Sequence, residues 1–161
     1  MIKTISKQVY LPDRFLDKNI KNHLLTILES TYENNCTSED GYILKIVKIN
    51  NITDNIISST NSICIFNITF DIEYLKPVIG TLYIGKICML FKNGFMTNIQ
   101  NKMKIFIPST SIPDFNYIDS YFMNQHLTLQ ENDEVSIEIT NTKYQKNEYI
   151  CIGMFKNKIT T

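Results

Sequence analysis

The sequence has no tryptophan and no alanine, and Arg14 is its only arginine. No apolar run is long enough to span a bilayer, and the opening segment MIKTISKQVYLPDRF lacks the apolar centre of a signal peptide. Glycine-rich phosphate loops and the H-E-x-x-H and G-x-S-x-G motifs are also missing. These absences predict an intracellular chain with no membrane contact and no catalytic residues of its own.

Metal-binding and redox motifs are absent as well. The cysteines include no C-x-x-C pair, so buried free thiols are expected at all four: Cys36, Cys64, Cys88 and Cys151. His23 and His126 lie far apart in the sequence, and the acidic run Glu131 to Glu134 lacks the spacing of a cation loop. We therefore predict neither a metal site nor a cofactor, and a solvated turn at the acidic run.

Charge and length limit the possible partners. The 16 basic and 16 acidic residues give a formal net charge of zero, so the molecule has no long-range field that attracts nucleic acid. Any RNA binding must then be local. A chain of 161 residues fits one ordinary domain or two small ones.

Abundant Ile and Asn are typical of an AT-rich genome, such as that of a large DNA virus.

The first half of the chain reads as strand, helix, strand, loop and strand. Apolar residues recur every three or four positions from Phe15 to about Tyr32, which predicts an amphipathic helix. Strands are expected at Thr4–Leu11, Tyr42–Ile49 and Ile63–Leu75, the last with one apolar face. The polar stretch Asn50 to Ser62 predicts a projecting loop, because it is too polar to pack and too long for a tight turn.

The second half shows short strands at regular spacing and almost no helical periodicity. The predicted strands are Gly80–Phe91, Gly94–Gln100, Met103–Ile107, Glu134–Thr140 and Glu148–Phe155. Five strands with one long insertion indicate a small closed barrel. The insertion, Ser109 to Leu129, is rich in aromatic residues and is expected to pack on that barrel. Gly85, Gly94 and Gly153 are expected at bends or close backbone contacts.

Three groups of residues then suggest a family. They are Cys36-x4-Gly41-Tyr42-Ile43-Leu44, the pattern Phe66-Asn67-Ile68-Thr69-Phe70, and the series Leu75-Lys76-Pro77-x2-Gly80-x4-Gly85-x8-Gly94-Phe95 with Met103 to Pro108 and Tyr149 to Gly153. In order and spacing the chain resembles the stalk subunits of cellular RNA polymerases, the family of the seventh subunit of eukaryotic RNA polymerase II and its archaeal counterpart. The resemblance covers nearly the whole chain.

The resemblance implies an α+β fold of two parts. Residues 1–78 would form an RNP-like tip domain, a small mixed sheet with one helix, and residues 79–161 a five-stranded antiparallel OB-fold barrel. It also implies a non-catalytic subunit of DNA-directed RNA polymerase. The AT-rich composition leaves its location open between a nucleus and a cytoplasmic viral factory, with packaging in a virion as a third alternative. The tip would dock on the largest subunit and a small shared subunit near the clamp, while the barrel contacts the emerging transcript.

Mapped onto this sequence, the docking residues lie in two loops, Cys36 to Gly41 and Asp54 to Ser62. They are Cys36, Gly41, Asp54, Ile56, Ile57, Ser58, Thr60 and Asn61. A small helical stalk partner would suit an apolar surplus around Tyr10, Leu11, Phe115, Tyr117 and Tyr121, although burial in the core explains each of these residues equally well.

RNA contact is expected where positive charge is one-sided. No acidic residue occurs between Lys86 and Lys104, and the predicted contact residues are Lys86, Lys92, Asn93, Met96, Lys102 and Lys104. Barrels that stack RNA carry aromatic residues or histidine where this chain has Asn93, Met96 and Pro108, and Phe91, Phe95 and Phe106 could point inward. The sequence therefore predicts weak, salt-sensitive binding to single-stranded RNA that is indifferent to sequence.

Two alternatives stay open. The lysines could be an ordinary solvent-facing set, and the chain could be a stand-alone RNA-binding module of translation or RNA decay. That module would explain the barrel but not the N-terminal half.

Overall fold

The computed structural model describes residues 1–57 and 63–159, which belong to two compact units, Met1–Lys76 and Pro77–Thr161. The first unit contains β1 (Ile2–Pro12), a 3-10 turn (Asp13–Phe15), α1 (Ile20–Tyr32), β2 (Cys36–Thr37), β3 (Gly41–Ile57) and β4 (Ile63–Leu75). Its strands form one sheet in the order β1-β4-β3-β2. Each of these described pairings is antiparallel, so the sheet is not mixed.

Strand β4 lies at the centre of the first unit and pairs along its length with both β1 and β3. Its burial alternates from residue to residue, as the sequence predicts. The buried face is Cys64, Phe66, Ile68, Phe70 and Ile72, and it packs against Leu24 and Leu28 of the helix. The core of this unit is therefore one sheet face covered by one helix.

Helix α1 begins at Ile20, five residues later than the periodicity predicts. The carboxylate of Asp17 accepts a hydrogen bond from the backbone N–H of Asn19 at 2.7 Å, which favours a turn over a continued helix. The ring of Phe15 packs on that of His23, with centroids 5.0 Å apart. His23 is therefore a boundary residue, held by Phe15 and by Asp17 at 3.4 Å.

Strand β3 is longer than the sequence predicts. Residues Asn50 to Ile57 continue the strand and pair with β4 as far as Ile57↔Cys64, so the expected loop over this stretch is wrong. The register shifts at four places along the β3–β4 pair. Each shift opposes two β3 residues to one on β4, which destroys the period of two that identifies a strand.

The turn between β2 and β3 is fastened to β1 by a buried carboxylate. Asp40 is 3% exposed and accepts ion pairs from Lys3 at 3.0 Å and Lys7 at 3.6 Å. Gly41 follows with φ +77, and a Cβ there would lie 2.6 Å from the carbonyl oxygen of Leu75. Only glycine fits this position without displacing β4.

The second unit contains a closed five-stranded barrel. Its strands are β5 (Leu82–Phe91), β6 (Gly94–Ile99), β7 (Met103–Pro108), β11 (Glu134–Gln145) and β12 (Glu148–Lys158), in the order β11-β12-β7-β6-β5. The barrel closes through a short parallel pairing of β12 with β7, at Cys151↔Ile105 and Ile152↔Phe106, whereas the other pairs are antiparallel. This order, with one parallel junction in an otherwise antiparallel barrel, agrees with the predicted OB-fold.

The barrel interior is filled by alternate residues of its strands, among them Ile87, Phe95, Ile105, Ile107 and Ile137. Glycines allow its close backbone contacts, as expected. A Cβ on Gly94 would lie 2.1 Å from the carbonyl oxygen of Ile107, and one on Gly153 would lie 2.6 Å from the Cγ2 of Ile137.

The stretch between β7 and β11 is ordered and packs on the barrel, as predicted. It forms a 3-10 turn (Ser109–Ser111) and a small sheet of β8 (Asn116–Ile118), β9 (Tyr121–Met123) and β10 (Thr128–Leu129), in the order β10-β9-β8. Buried Phe122 contacts Phe95 of β6, with ring centroids 6.0 Å apart. Phe115 meets Phe155 of β12 edge-on at 5.7 Å.

The predicted α+β class is confirmed, with one helix-covered sheet and one closed five-stranded barrel. Among the described residues no helix is long and apolar enough to cross a membrane.

We expect Asp40→Asn to lower the free energy of unfolding by about 1–3 kcal/mol, because it removes charge-assisted contacts to Lys3 and Lys7. Both lysines are partly exposed and regain water, which keeps the loss within this range. Urea unfolding measures the change. Glu39→Gln is the matched control, since its exposed side chain neighbours the same turn. Equal stability of the two variants would contradict a structural role for Asp40.

Hydrogen bonds from Thr4, at 2.6 Å, and from Asn50, at 2.7 Å, lower the pKa of Asp71 below its ordinary value. A lowered pKa in the folded state adds stability at neutral pH that is lost as the pH falls through that pKa. Thr4→Val should therefore raise the pKa of Asp71, observed by carbon-detected NMR titration of its carboxyl group. Ser6→Ala, two residues along the same strand, should leave it unchanged.

Candidate nucleic-acid interface

Strands β5, β6 and β7 present a row of polar side chains on the outside of the barrel. Lys86 pairs with Asn98, and Asn98 pairs with Lys104, so the three residues lie side by side across the strands. Directly opposed residues place their Cβ atoms about 5 Å apart. Asn98 is thus flanked by two exposed lysines.

The next outward row is apolar. Met89 pairs with Met96, Met96 pairs with Phe106, and Phe106 is next to Ile152 of β12. Met89 is 59% exposed and Ile152 is 38% exposed. The half-buried rings of Phe91 and Phe106 stack on each other, with centroids 5.6 Å apart and an interplanar angle of 7°. Aromatic faces and thioethers next to positive charge are the surface on which single-stranded bases stack.

The remaining predicted contact residues lie at the two ends of β6. Lys92 and Asn93 form the turn between β5 and β6, and Lys102 lies in the turn between β6 and β7. The backbone carbonyl of Asn93 accepts a hydrogen bond from Ser109 at 2.8 Å. Within the described part of the chain Lys86, Lys92 and Lys104 form no ion pair. These three charges are therefore available to an anionic ligand.

The sequence left open whether Phe91 and Phe106 point inward, so neither was among the predicted contact residues. Phe95 does point inward and is fully buried, but Phe106 points outward with Lys104. A register shift between Ile87 and Met89 changes the alternation of β5, so that Phe91 lies on the same face as Lys86. Such a bulge leaves no sequence signal here, because the residues on both sides of it are apolar.

The structure divides the four cysteines. Cys36, Cys64 and Cys151 are buried, as expected, and burial raises the pKa of the Cys151 thiol. Cys88 is exposed, so the expectation of a buried thiol is wrong there. It lies at the β5 register shift, where its Sγ donates to the carbonyl oxygen of Met96 at 3.4 Å.

The two predicted docking loops lie at opposite ends of strand β3. Cys36 and Gly41 are at its start, where Tyr42 pairs with Leu75, and both are buried. Asp54, Ile56 and Ile57 are at its end, where Ile57 pairs with Cys64. The two ends are separated by roughly 36 Å along β4, at about 3.3 Å per residue. Ser58, Thr60 and Asn61 lie outside the described residues.

The fold brings a different segment to the far end of β3. Pro12 pairs with Ile63, so the connection from β1 to α1, Asp13 to Asn19, begins beside the start of β4. It is largely exposed, including Leu16 at 41% and Arg14, whose guanidinium lies 4.9 Å from the ring centroid of Phe15. Sequence reasoning assigned this segment from Phe15 onward to the helix and so did not consider it for docking.

Of the residues considered for a helical partner, Tyr10 and Tyr121 are exposed, at 59% and 40%. Leu11 is fully buried in the core, so the partner surface cannot include it. Phe115 and Tyr117 are half-buried and contact Phe155 and Phe122. The part of the chain that the structure describes holds no group of three His, Cys, Asp or Glu residues fit for a metal ion.

Known proteins are similar to this chain over most of its length. No family model matches. The chain is 23% identical over 159 residues to DNA-directed RNA polymerase II subunit RPB7 of Glycine max, which covers 95% of this chain and 90% of that protein. Subunit RPB7 of Saccharomyces cerevisiae is 28% identical over 70% of this chain and 66% of its own.

A solved structure, the apo form of Mycoplasma genitalium RNase R, matches 47% of this chain and 13% of its own with a TM-score of 0.39 and 17% identity, too little to support any inference. The similarity to the soybean subunit extends through both compact units. The predicted resemblance is therefore confirmed: over most of its length, and at low identity, the chain is similar to proteins named as subunit 7 of RNA polymerase II.

Proposed function

We propose that this protein is a non-catalytic subunit of a DNA-directed RNA polymerase, which docks on the core enzyme through its first unit and contacts the transcript through its barrel. The observation that carries the proposal is the similarity over 95% of the chain to proteins named as subunit 7 of RNA polymerase II. A stand-alone RNA-binding module would need only the barrel. The relatives support a nuclear site, and a viral setting has no support among them.

The docking surface is the end of the first unit where β1, β3 and β4 meet. The segment Asp13 to Asn19 is exposed there, and the end of β3 that carries Asp54, Ile56 and Ile57 lies at the same end of the sheet. The opposite end is a poorer surface. Its turn is fastened by Asp40 and by Lys76, whose Nζ donates to the carbonyl oxygen of Glu39 at 3.0 Å, and Cys36 is buried.

The transcript would lie across the outer face of β5, β6 and β7. Lys86 and Lys104 would neutralise phosphates, and the row of Met89, Met96 and Phe106 would support the bases. This assignment uses Lys86, Met96 and Lys104 of the predicted contact residues and adds Met89 and Phe106, while Lys92, Asn93 and Lys102 lie in the turns at the two ends of β6. The carboxylates of neighbouring β11, Glu134 and Glu138, limit the positive field, so the affinity should be modest.

A pull-down tests the docking surface. Tagged protein should recover the largest polymerase subunit and a small shared subunit, and Leu16→Asp should reduce this recovery several-fold because it puts a charge into an apolar contact. Glu39→Lys, at the opposite end of β3, is the matched control and should bind normally. Loss with Glu39→Lys alone would move the docking surface to the Cys36–Gly41 turn. Recovery of ribosomes instead of polymerase would overturn the proposal.

A second test addresses RNA. Lys86→Glu combined with Lys104→Glu should weaken binding to a single-stranded RNA about tenfold or more, measured by fluorescence anisotropy at low salt. Lys143→Glu with Lys146→Glu removes two exposed lysines from the β11–β12 hairpin and serves as the control. Four lysines at about 0.7 per phosphate limit the log–log salt slope to about 3. Equal affinities of the two double variants would leave the barrel without an RNA face.

A further inference from the structure

One end of the barrel contains a groove of about 340 Å³. Its volume falls in the usual range for small-ligand sites, roughly 300–1,000 Å³. The groove is formed by β5 from Ile84 to Cys88, by Asn98 at the end of β6, by the β6–β7 turn, and by the residues that lead into β11. It thus begins at the polar row of the outer face, at Lys86 and Asn98.

Amide residues from two segments of the chain, 98–101 and the turn before β11, line this groove. They are Asn98, Gln100, Asn101 and Asn132. Three of these residues adopt left-handed backbone conformations, with φ of 52 for Gln100, 58 for Asn101 and 73 for Asn132. Non-glycine residues adopt this region at an energetic cost, so the surrounding structure must hold them there.

Backbone hydrogen bonds order both turns, and they join the turn before β11 to β5. The N–H of Asn132 donates to the carbonyl oxygen of Ile87 at 2.8 Å, and the N–H of Ile87 donates to the carbonyl oxygen of Asp133 at 2.9 Å. The N–H of Lys102 donates to the carbonyl oxygen of Ile99 at 3.0 Å across the other turn. The amides are therefore presented by ordered turns, which reduces the entropy that a ligand must overcome.

The side chain of Asn98 carries an unused acceptor. Its Oδ1 is inaccessible to solvent and has no hydrogen-bond partner, while its Nδ2 makes a long contact of 3.4 Å to Oδ1 of Asn101. A buried polar atom without a partner costs free energy, and such atoms are rare in folded proteins. Asn98 is therefore a groove residue whose hydrogen-bonding capacity the protein itself leaves partly unfilled.

The charges around the groove indicate which ligand it fits. Amides offer both donors and acceptors, as the edge of a nucleobase does, and the carboxylate of Glu134 can accept from an exocyclic amino group. Lys86 and Lys104 lie directly opposite Asn98 on the two neighbouring β-strands. The phosphates of an RNA strand whose base enters the groove would pass near these lysines. A mixed wall of amides, one carboxylate and adjacent lysines suits a nucleotide better than an apolar or simply anionic molecule.

We propose that this groove binds one nucleobase of the single-stranded RNA that crosses the barrel, and that it gives the protein a base preference. The inference rests on the proposed contact with RNA and extends it, since stacking and phosphate neutralisation alone are indifferent to sequence. Asn98 and Asn132 lie on either side of β5 and would form hydrogen bonds with the edge of the base. Lys86 and Lys104 would bind the phosphates of the RNA backbone.

The experiment compares four homopolymeric RNAs of equal length, binding to the full chain at one salt concentration. We expect the dissociation constants of the tightest and the weakest RNA to differ by at least roughly fivefold. This is the lower limit of the base discrimination that one bidentate amide contact provides. Asn98→Ala with Asn132→Ala should reduce this difference to less than about twofold and keep the salt slope unchanged, because the lysines remain. Asn116→Ala, an exposed asparagine of the small β8–β10 sheet, is the control and should keep the preference.

Cys88 provides a readout at the groove itself, because it lines the groove and is the exposed one among the four free cysteines. The preferred RNA should slow alkylation of Cys88 several-fold in the unchanged protein, and this protection should be lost in Asn98→Ala with Asn132→Ala. Circular dichroism of that variant checks that it remains folded.

The outcomes separate the two proposals. Equal affinity for the four RNAs, with alkylation of Cys88 unaffected, would overturn the base-binding groove and leave the RNA face of the barrel intact. Absence of binding to all four would overturn the RNA face and with it the groove. A preference that survives in Asn98→Ala with Asn132→Ala would place the selectivity elsewhere and also overturn the inference.

Discussion

The close approach of Gly94 to the carbonyl group of Ile107 sets the geometry on which the outer face of β5, β6 and β7 depends. A Cβ at Gly94 would lie 2.1 Å from that oxygen, so this pairing of β6 with β7 requires a residue without a side chain. It fixes Gly94 opposite Pro108, and with it Met96 opposite Phe106 and Asn98 opposite Lys104. A slip by one residue would turn all of these side chains into the barrel interior.

The first unit is stabilised by a helix-covered sheet and not by a closed barrel. Its sheet is covered on one face by a helix, and its central strand β4 is bonded on both sides. A buried carboxylate, Asp40, ties the β2–β3 turn to β1, whereas the other end of β3 lies near the exposed connection Asp13 to Asn19. The two ends of the same strand are therefore chemically unlike, and this difference decides which of them is suited to a partner.

Much of this fold could be predicted from the sequence, because most strands show alternating apolar and polar residues and end at glycine or polar residues. β4 has the bounds that its pattern predicts, and the five barrel strands follow the Gly and polar breaks. Prediction failed where the backbone departs from regular geometry. The second half of β3, which contains two of the four register shifts, was predicted as a loop because its residues are polar, and the shift in β5 hides the outward direction of Phe91. The Asp17 turn likewise stops a helix that periodicity alone would extend. Asn132 joins the groove from more than 30 residues after Asn98, Gln100 and Asn101, so no local pattern could have identified the complete set.

Because the whole chain is neutral, its few lysines can attract RNA only at short range. A protein with no net charge, with two lysines on one barrel face and a third in a nearby turn that form no ion pair among the described residues, does not gather RNA from solution over distance. If the protein is held on the enzyme that makes the RNA, however, the strand is supplied at an effective concentration in the millimolar range for short connections. Contacts that are weak in free solution are then well populated, and they release the strand readily as it lengthens.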